Sequence, residues 1–526
     1  MHGMKSICGF IDPLEAAKWG VPFLVGIGEN MRKLIIGIPL LLLLACVLPK
    51  ATLQGLTPPS VTSQAAQPTA APPPVNTTAS PNPPPSAGTL VYVTGSTQKV
   101  CQLTGNIDWE TGLPTAARTF SNYGLDATDL GYPVENQGKL ILLFGDSWPS
   151  THPQNASAAQ SEIPPDDSVG ITTRTAPPDS RSCLDLVINH NAASKIIPPT
   201  ITGPIKVNQG YFNVPSGGVS LGGLLYAFFW TDHCVSPNPL ASSPLLPLAR
   251  PQVNPLNDCP ETDARNSLGK GVLAHSSDDG RTFVQGVPMP PGFVYTTAVN
   301  AELPVGLRAD QRLGVFIFGV PRYRASIPYL AYAAPDSFAD PASWHFFTGR
   351  DASGQPIWVT SSAWYQNPAS TQSWSPPGNP ELFSVASNAG RCVGEFSVTW
   401  NSVLGKWLML YNCRGEIVAR IASAPWGPWS APTTILSVGP DVDCRLVMTA
   451  EGCGNRRDYW PTMHKNGKFE VGSFYAPYVL NRYTTVGISD NGNPKSTIYW
   501  LVSPWNPYEV TVMRTTLEVD SSPSSP

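Results

Sequence analysis

The sequence predicts an all-β protein built as a five-bladed β-propeller with long loops between its strands. A short apolar strand recurs five times, the copies start about 85 to 95 residues apart, and each is followed by a second strand that reads as its hairpin partner. A repeated β unit that cannot bury both faces alone must stack on its neighbours, and radial closure is the usual solution. A two-sheet sandwich with decorated loops is the alternative.

The five copies are short apolar runs, often introduced by glycine and a charged residue, at 138–145, 223–230, 312–319, 405–412 and 496–503. Examples of their partner strands are 272–276, 329–333, 417–421 and 510–514. A further strand near Val91 is predicted to complete the last blade, which would close the ring.

The first copy forms part of a predicted hairpin at 123–148, whose turn falls at 136–138. Asp129 and Asp146 stand at its two ends, and a hairpin returns its ends to within side-chain reach. Two carboxylates at the end of a buried strand are costly unless they are paired, hydrogen-bonded or used for chemistry. The alternative is that both are turn acids that cap backbone N–H groups.

Residues 276–283 fit the Asp-box pattern, in which an aspartate and a glycine shape a tight turn between two blade strands. Asp278 and Gly280 occupy those positions, and the aromatic Phe283 is expected to plug the base of the blade. Asp278 is therefore given a structural role and no chemistry.

The composition favours an extracellular, turn-rich protein. Charged residues make up 13% of the 526 residues, against about a quarter in an average protein, while Pro (57), Gly (45) and Trp (15) are frequent. A net charge of −4 gives no electrostatic footprint for nucleic acid, so no nucleic-acid partner is expected. The sequence argues against a helical cytosolic enzyme.

Residues 1–46 read as a targeting segment whose true start is Met31. A short basic start at 31–33 precedes an apolar run at 34–44, which is too short to span a bilayer comfortably. The run ends at Leu-Leu-Ala-Cys, which resembles a bacterial lipobox in which Cys46 would be acylated. An ordinary cleaved signal peptide is the alternative.

Residues 47–88 are predicted to be a disordered linker rich in Pro, Ser and Thr, and 521–526 a disordered tail. The folded unit is then 89–520, which we expect to be monomeric. The protein would be secreted or held at the outer surface of the membrane through an N-terminal lipid anchor alone.

Eight cysteines follow Cys46, an even number that suggests disulfides in an exported chain. Their spacing favours the local pairs Cys234–Cys259, Cys392–Cys413 and Cys444–Cys453, which leaves Cys101–Cys183. The connectivity stays open at this point, because eight cysteines allow 105 pairings.

Several short motifs in the folded unit match those of one family. They are ATDLG at 127–131 with FGD at 144–146, VPSGG at 214–218, RYR at 322–324 with YLA at 329–331, VGEFSV at 393–398, PWGPWS at 425–430, and YAP at 475–477 before WNPY at 505–508. Together, over about residues 105–515, they resemble the bacterial and fungal family long labelled a domain of unknown function and now linked to endo-D-arabinanase glycoside hydrolases.

The resemblance implies a five-bladed propeller that hydrolyses D-arabinofuranosyl linkages, as in the arabinan of mycobacterial cell walls. The chain departs from the family pattern at Ala127, where a glycine is frequent, and in a Pro-rich insert at 240–258. These departures bear on the substrate more than on the reaction type.

Glycoside hydrolysis needs two carboxyl groups, one of which is kept protonated. At a propeller axis the innermost strands converge, so candidate acids must lie beside a repeated strand. Asp129, Asp146 and Glu395 meet this condition. We assign Glu395 as general acid and one aspartate as base or nucleophile, with the other tuning it; the alternative for Glu395 is a structural pair with Arg391 or Arg420.

Sugar contacts are expected from aromatic, arginine and histidine side chains near the repeated strands. These are Trp148, Arg322, Tyr323, Arg324, His464 and Tyr475, each of which could equally serve packing. No cofactor or metal ligand set is predicted, because no Cys or His lies at ligand spacing from His464; a structural calcium is not indicated by the sequence. A catalytically silent glycan- or protein-binding propeller and a sialidase-like enzyme are the alternative functions.

Overall fold

The computed structural model describes residues 88–149, 166–188, 200–202, 213–231, 270–301, 314–322, 324–365, 376–437, 446, 473–489, 492–505 and 507–520. Within these ranges the chain forms five β-sheets with a few short helical turns, and their strand pairs are antiparallel except for the parallel pair of Thr200–Thr202 with Thr282–Pro288. The described part contains no helix long and apolar enough to cross a membrane.

Two short strands, β1 (Thr89–Tyr92) and β2 (Gln98–Gln102), open the described chain, and helix α1 (Thr119–Tyr123) follows them. Blade one contains β3 (Leu125–Asn136), β4 (Lys139–Pro149), β5 (Asp166–Thr172) and β6 (Val187–Ile188). Blade two contains β7 (Thr200–Thr202), β8 (Asn213–Leu221), β9 (Leu224–Thr231), β10 (Lys270–Ser276) and β11 (Thr282–Pro288), with β8 first in the sheet order and β7 beyond β11.

Blade three contains β12 (Tyr295–Asn300), β13 (Val315–Val320), β14 (Tyr329–Ala333), β15 (His345–Arg350) and β16 (Pro356–Thr360), and helix α2 (Ser361–Tyr365) follows it. Blade four contains β17 (Phe396–Asn401), β18 (Lys406–Cys413), β19 (Glu416–Ala422) and β20 (Thr433–Ser437). Blade five contains β21 (Phe474–Val479), β22 (Thr485–Ile488), β23 (Pro494–Pro504) and β24 (Thr511–Asp520). Single 3-10 turns lie at Pro335–Ser337, Pro341–Ser343, Asn388–Gly390 and Asn481–Tyr483.

The five repeated segments are the second strands of the five sheets, namely β4, β9, β13, β18 and β23. The partner strands read from the sequence are the third strands β10, β14, β19 and β24. The second strands are apolar along their whole length because blades stack on both of their faces; residues 140–144 are each at most 1% exposed. Burying each such Leu, Ile or Phe contributes about 1.5–3 kcal/mol.

The first strands of the sheets form the inner ring. β3 packs on β8, β8 on β12, β12 on β17, β17 on β21, and β21 returns to β3. This closed cycle is a five-bladed β-propeller, so the predicted fold is confirmed and the two-sheet sandwich is wrong.

The ring is closed by the beginning of the chain. β1 pairs antiparallel with β24 of blade five, in a register that runs from Thr89 opposite Asp520 to Tyr92 opposite Leu517. The predicted closing strand near Val91 is thereby confirmed.

Two of the predicted disulfides are present. Cys101–Cys183 joins β2, which pairs with blade five, to a segment of blade one, and Cys392–Cys413 lies within blade four. Their Cα atoms are 5.9 and 5.0 Å apart, within the normal range for a disulfide. Two disulfides fit an oxidising, extracytoplasmic compartment.

The predicted hairpin of blade one is also confirmed. Asn136 pairs with Lys139, and Gln137 and Gly138 between them have φ angles of 49° and 80°. Positive φ at both central residues is the type I′ turn that two-residue hairpin loops favour. Lys139 forms an ion pair with Asp279 of blade two, which fixes the tip of the hairpin against its neighbour.

The Asp-box forms the turn between β10 and β11. Both carboxylate oxygens of Asp278 accept hydrogen bonds from Thr282, from its backbone N–H at 2.9 Å and from its hydroxyl at 2.7 Å. Gly280 has a φ of 83°, and Phe283 is fully buried against Phe229. These contacts support the structural role given to Asp278.

Several sequence predictions lie outside the described residues. They concern the start at Met31, the acylation of Cys46, the linker at 47–88 (of which only Gly88 is described), the tail at 521–526, and the pairs Cys234–Cys259 and Cys444–Cys453.

Candidate active site

Asp129 and Asp146 enter the axis from the two strands of the first hairpin. Asp129 of β3 is paired in register with Gly145 of β4, the residue before Asp146. The register shifts on both sides of Asp129, and Leu130 takes a positive φ of 61°. Bulges of this kind bend a strand and re-aim its side chains, often next to active sites.

The backbone around Asp129 is held by hydroxyl groups. Leu130 N–H donates to Ser503 Oγ of blade five at 2.8 Å, and Thr128 Oγ1 donates to the carbonyl of Gly145 at 2.8 Å. The bulge is therefore anchored both to the next strand and to the neighbouring blade, which keeps the Asp129 side chain in place.

Two tyrosines of blade five hold the Asp129 carboxyl group. Tyr475 and Tyr508 both donate their hydroxyl groups to Asp129 Oδ2, at 2.7 and 2.6 Å. The Tyr508 hydroxyl also lies 3.0 Å from Asp146 Oδ2, so one phenol touches both carboxyl groups. The two Oδ2 atoms are consequently at most about 6 Å apart.

The second oxygen of Asp129 is in a different situation. Oδ1 is buried and has no hydrogen-bond partner among the described residues. A buried polar atom without a partner costs about 1–3 kcal/mol, and such atoms in native structures are frequently functional. A side chain at Gly145 would occupy this region, because its Cβ would lie 2.8 Å from Asp129 Oδ1.

The pKa values of both aspartates are raised. Burial, followed by the nearby charge of Asp146, raises the pKa of Asp129 well above its usual value, although the hydrogen bonds from Tyr508 and Tyr475 oppose this. Burial raises the pKa of Asp146 to about 6, against an opposing hydrogen bond with Tyr508. The two groups titrate as one coupled pair. The pair loses its first proton near pH 6, and above this pH it holds one proton.

Glu395 directly precedes β17, the inner strand of blade four, and is 2% exposed. Its partner is Arg324 of the loop between β13 and β14: Nη2 donates to Oε1 at 2.7 Å and Nε approaches Oε2 at 3.4 Å. The alternative role for Glu395 is a structural pair with Arg391 or Arg420. Arg391 instead pairs with Glu381, and Arg420 binds Tyr411 and Ser430. Glu395 is therefore held by an arginine of the neighbouring blade.

Arg324 connects the two groups of acids. Its guanidinium carbon lies 5.4 Å from the ring centroid of Tyr475, a cation–π distance, and Tyr475 in turn binds Asp129. Arg324 has a φ of 55°, and its N–H donates to the carbonyl of Val393 at 3.0 Å. Gly394 makes room for it, because a Cβ there would lie 3.0 Å from Arg324 Cγ.

All three predicted acids therefore meet at the axis. The charges of both Asp146 and Glu395 act on Asp129, although the three residues come from β3, β4 and the start of β17. Convergence from blades one and four agrees with the prediction that placed these acids beside repeated strands.

The axis next to the acids is filled by tyrosines of the inner strands. Tyr132 bonds Thr297, Tyr295 bonds Tyr478, and the rings of Tyr132 and Tyr478 meet edge to face at 5.0 Å. Tyr478 lies within reach of the charges of both Glu395 and Asp129. Buried aromatic groups lower the local dielectric constant, which strengthens the interactions between the acids.

The predicted sugar-contact residues have different outcomes. Arg324 and Tyr475 lie at the site, but in this structure they bind Glu395 and Asp129. Arg322 is exposed in the same loop as Arg324, and its charge acts on Tyr329. Trp148 pairs with Ala127 through its backbone, and its side chain lies outside the described structure. Tyr323 and His464 are outside the described residues as well.

Sequence reasoning missed Tyr508. The residue stands in the Trp-Asn-Pro-Tyr motif at 505–508, which was noted for the resemblance but given no chemistry. Its ring packs edge to face on Trp505 at 5.7 Å and it is 2% exposed. The sequence did contain a signal for Tyr508. The residue lies between the repeated strand of blade five and its partner strand, and the argument that selected the acids places residues beside a repeated strand near the axis.

The chain is similar to several solved structures and, over part of its length, to one family model. Similar solved structures include a protein of unknown function from Dyadobacter fermentans, at 10% identity over 81% of this chain and all of that chain, with a TM-score of 0.31. They also include the endo-arabinase of Bacteroides thetaiotaomicron (12% identity, 75% and 95% of the chains, TM-score 0.27) and the arabinanase of Bacillus subtilis (9%, 74% and 94%, TM-score 0.27).

No curated protein matches the chain. A family model matches residues 265–514, a range that includes Arg324, Glu395, Tyr475 and Tyr508 and excludes Asp129 and Asp146. The description of that family names no activity: the chain is similar, over this range, to the domain of unknown function DUF4185.

Proposed function

We propose that the protein is an exported glycoside hydrolase that cleaves D-arabinofuranosyl linkages with paired carboxyl groups, in the manner of an endo-D-arabinanase. The observation that carries the proposal is the meeting of three acids at the propeller axis, two of which, Asp129 and Asp146, touch one tyrosine hydroxyl. Acids with strongly perturbed pKa values in a buried cluster are candidates for catalysis.

The chemistry requires one carboxyl group that donates a proton to the leaving oxygen and one carboxylate that attacks or activates water. Between its two titration steps the Asp129–Asp146 pair contains one group of each kind. Environments that separate the protonation of two neighbouring acids are the arrangement that acid–base catalysis uses at neutral pH.

The role of Glu395 follows from its ion pair. The sequence predicts that Glu395 donates the proton, whereas both of its carboxyl oxygens face the Arg324 guanidinium, at 2.7 and 3.4 Å. We therefore place the donated proton on the Asp129–Asp146 pair and make Glu395 the third catalytic carboxylate, which accepts a hydrogen bond from one sugar hydroxyl while Arg324 donates a hydrogen bond to another sugar oxygen. As general acid, Glu395 would first have to lose Arg324 to the incoming substrate.

The substrate class comes from the motif resemblance and not from the geometry. An arabinofuranosyl polymer would contact Arg322, Arg324 and Tyr475 in the described part, and Trp148, Tyr323 and His464 by the sequence prediction. The reaction as proposed needs no cofactor. A lipid anchor at Cys46 and a Pro-rich linker would hold a monomeric catalytic unit away from the cell surface.

The test is to incubate the purified exported protein with D-arabinan and with L-arabinan and to separate the products. We expect short D-arabinofuranosyl oligomers from D-arabinan, and a loss of turnover by about 10³-fold or more in Asp129→Asn and Asp146→Asn. Glu416→Gln, an exposed acid at the outer part of blade four, is the matched control for Glu395→Gln. A folded protein that cleaves neither polymer would favour the silent glycan-binding propeller.

A second assay separates the two candidate proton donors. An arabinofuranoside with a good leaving group, such as a nitrophenolate, needs little protonation of the departing oxygen. A variant that lacks the general acid should therefore keep much more activity on this substrate than on arabinan. We expect this behaviour from Asp146→Asn; if Glu395→Gln shows it instead, Glu395 is the acid.

A further inference from the structure

The hydroxyl group of Tyr508 lies between two acids, 2.6 Å from Asp129 Oδ2 and 3.0 Å from Asp146 Oδ2. A phenol carries a single proton and can donate it to one of these oxygens at a time. The other contact is favourable only if that carboxyl group is itself protonated and donates to the phenol oxygen. The geometry therefore favours one proton shared by the two acids, with the hydrogen bonds through Tyr508 running in either of two directions.

Tyr475 distinguishes the two orders. Its hydroxyl group donates to the same Asp129 Oδ2 at 2.7 Å, so this oxygen faces two phenols. An oxygen that accepts two O–H bonds is best supplied by an ionised carboxylate, whereas a protonated carboxyl oxygen is a poor acceptor. The consistent order runs from a protonated Asp146 to Tyr508, and from Tyr508 to an ionised Asp129.

The surroundings keep this order in place. Tyr508 and Asp129 are 2% and 5% exposed, so water has little access to replace either bond. Burial and mutual repulsion of the two aspartates disfavour a state in which both are charged. Hydrogen bonds in such a buried network reinforce one another.

We propose that Tyr508 is a positioning residue that fixes the shared proton on Asp146 and the charge on Asp129. Both phenols engage Oδ2, and Asp129 Oδ1, which is buried without a partner in the part of the chain that the structure describes, is thereby the reactive carboxylate oxygen. The catalytic meaning rests on the proposed function, whereas the order of protonation does not depend on any activity.

The first experiment measures protonation directly. ¹³C-aspartate is incorporated into the full exported protein, and the carboxyl resonances of Asp129 and Asp146 are assigned by their loss in Asp129→Asn and Asp146→Asn. Between the two titration steps, the Asp129 resonance should be that of a carboxylate and the Asp146 resonance that of a protonated acid. The reverse order in the wild-type protein overturns the proposal without any variant of Tyr508.

The second experiment removes one hydroxyl group at a time. Tyr508→Phe keeps the ring on Trp505 but loses the contacts with both acids. The ionised Asp129 loses a donor, so its titration should move to higher pH, whereas the protonated Asp146 loses its acceptor, so its titration should move to lower pH. Tyr475→Phe should move the titration of Asp129 to higher pH. Tyr132→Phe, which loses a buried hydroxyl contact with Thr297, is the matched control and should move neither.

The third experiment reads the same variants kinetically. Tyr508→Phe should lower kcat by about 10- to 100-fold, the equivalent of one lost hydrogen bond to a charged group, and should shift the acidic limb of the kcat/KM profile to higher pH. An unchanged profile, or a rise in KM alone, overturns the positioning role. If the wild-type protein cleaves no arabinan, the proposed function fails, and the carboxyl titrations still decide the place of the proton.

Discussion

Arg324 of blade three and Glu395 of blade four form an ion pair across the blade boundary, 71 residues apart in the chain, with a 2.7 Å bond between Nη2 and Oε1. The Glu395 side chain is 3% exposed and that of Arg324 is 47% exposed. The pair thus places a charge that is almost fully buried beside a partner that can reach solvent. This asymmetry gives Arg324 access to both Glu395 and an arriving ligand.

Replacing Arg324 by alanine should destabilise the protein, because it leaves the buried Glu395 without its charged partner. Loss of one member of a buried pair costs about 3–5 kcal/mol, and the exposure of Arg324 reduces this to about 1–3 kcal/mol. The measurement is urea unfolding at pH 7. The control is Arg391→Ala, which breaks an exposed pair with Glu381 and should change the free energy of unfolding by less than about 1 kcal/mol. Equal losses of stability in both variants would contradict the claim that Arg324 compensates a buried charge.

The stability of the protein should fall with rising pH through the first ionisation of the Asp129–Asp146 pair. That ionisation lies near pH 6 in the folded protein, against about 3.9 for an aspartate in an unfolded chain, so the folded state binds the proton more tightly. This contribution is therefore fully present below pH 4 and is lost as pH rises through 6. The double variant Asp129→Asn/Asp146→Asn should gain about 3 kcal/mol or more relative to the wild type between pH 4 and pH 8.

The control for this pH dependence is Asp351→Asn, an exposed loop acid whose pKa is lowered by hydrogen bonds from Ser353 and Gln355. A lowered pKa has the opposite sign, so this variant should lose stability relative to the wild type as pH rises through the acidic range. Unfolding curves at several pH values give both slopes. If the double variant Asp129→Asn/Asp146→Asn and the wild type have parallel curves, the pair is not perturbed by its surroundings.

Much of the fold could be predicted because its signals are local. The second strand of each blade is buried on both faces, so it reads as a continuous apolar run. The sequence Asn136-Gln137-Gly138 marks the hairpin turn, in which Gln137 and Gly138 take positive φ. Asp129 and Asp146 could be paired from the sequence because a hairpin fixes which residues lie opposite one another.

The rest of the site depends on contacts that are distant in sequence. Tyr508 lies 362 residues from Asp146, and its position follows from ring closure and a loop, neither of which leaves a periodic pattern. Arg324 was noticed as a sugar contact, but its pairing with Glu395 needs an unusual positive φ, which no local propensity predicts for arginine. Sequence reasoning could thus select the acids and could not decide their partners.

Gly145→Ala should damage the site through Asp129. The added Cβ would lie 2.6 Å from Val214 Cγ1 and 2.8 Å from Asp129 Oδ1, closer than such atoms pack. Relief would move the carboxyl group, so we expect about 1–3 kcal/mol of destabilisation and a large loss of turnover. Gly487→Ala, whose Cβ would meet no atom closer than 3.6 Å, is the control for both measurements.

The final prediction concerns closure of the ring. Cys101–Cys183 spans 82 residues and ties β2, which pairs with β24 of blade five, to blade one, whereas Cys392–Cys413 spans 21 residues within blade four. In the chain-entropy account, removing these bonds costs about 4 and about 3 kcal/mol, respectively. The double serine variant of the first pair should therefore be the less stable in urea.

Hydrogen exchange separates the two effects further. Because β1 and β2 both pair with β24, loss of the Cys101–Cys183 bond should speed amide exchange in these closing strands before it affects the inner strands. Loss of the Cys392–Cys413 bond should leave exchange in β1 unchanged. Uniform exchange along all five blades after removal of the first bond would mean that the ring opens as one unit, and that this disulfide does not act at the closure between the last blade and the first.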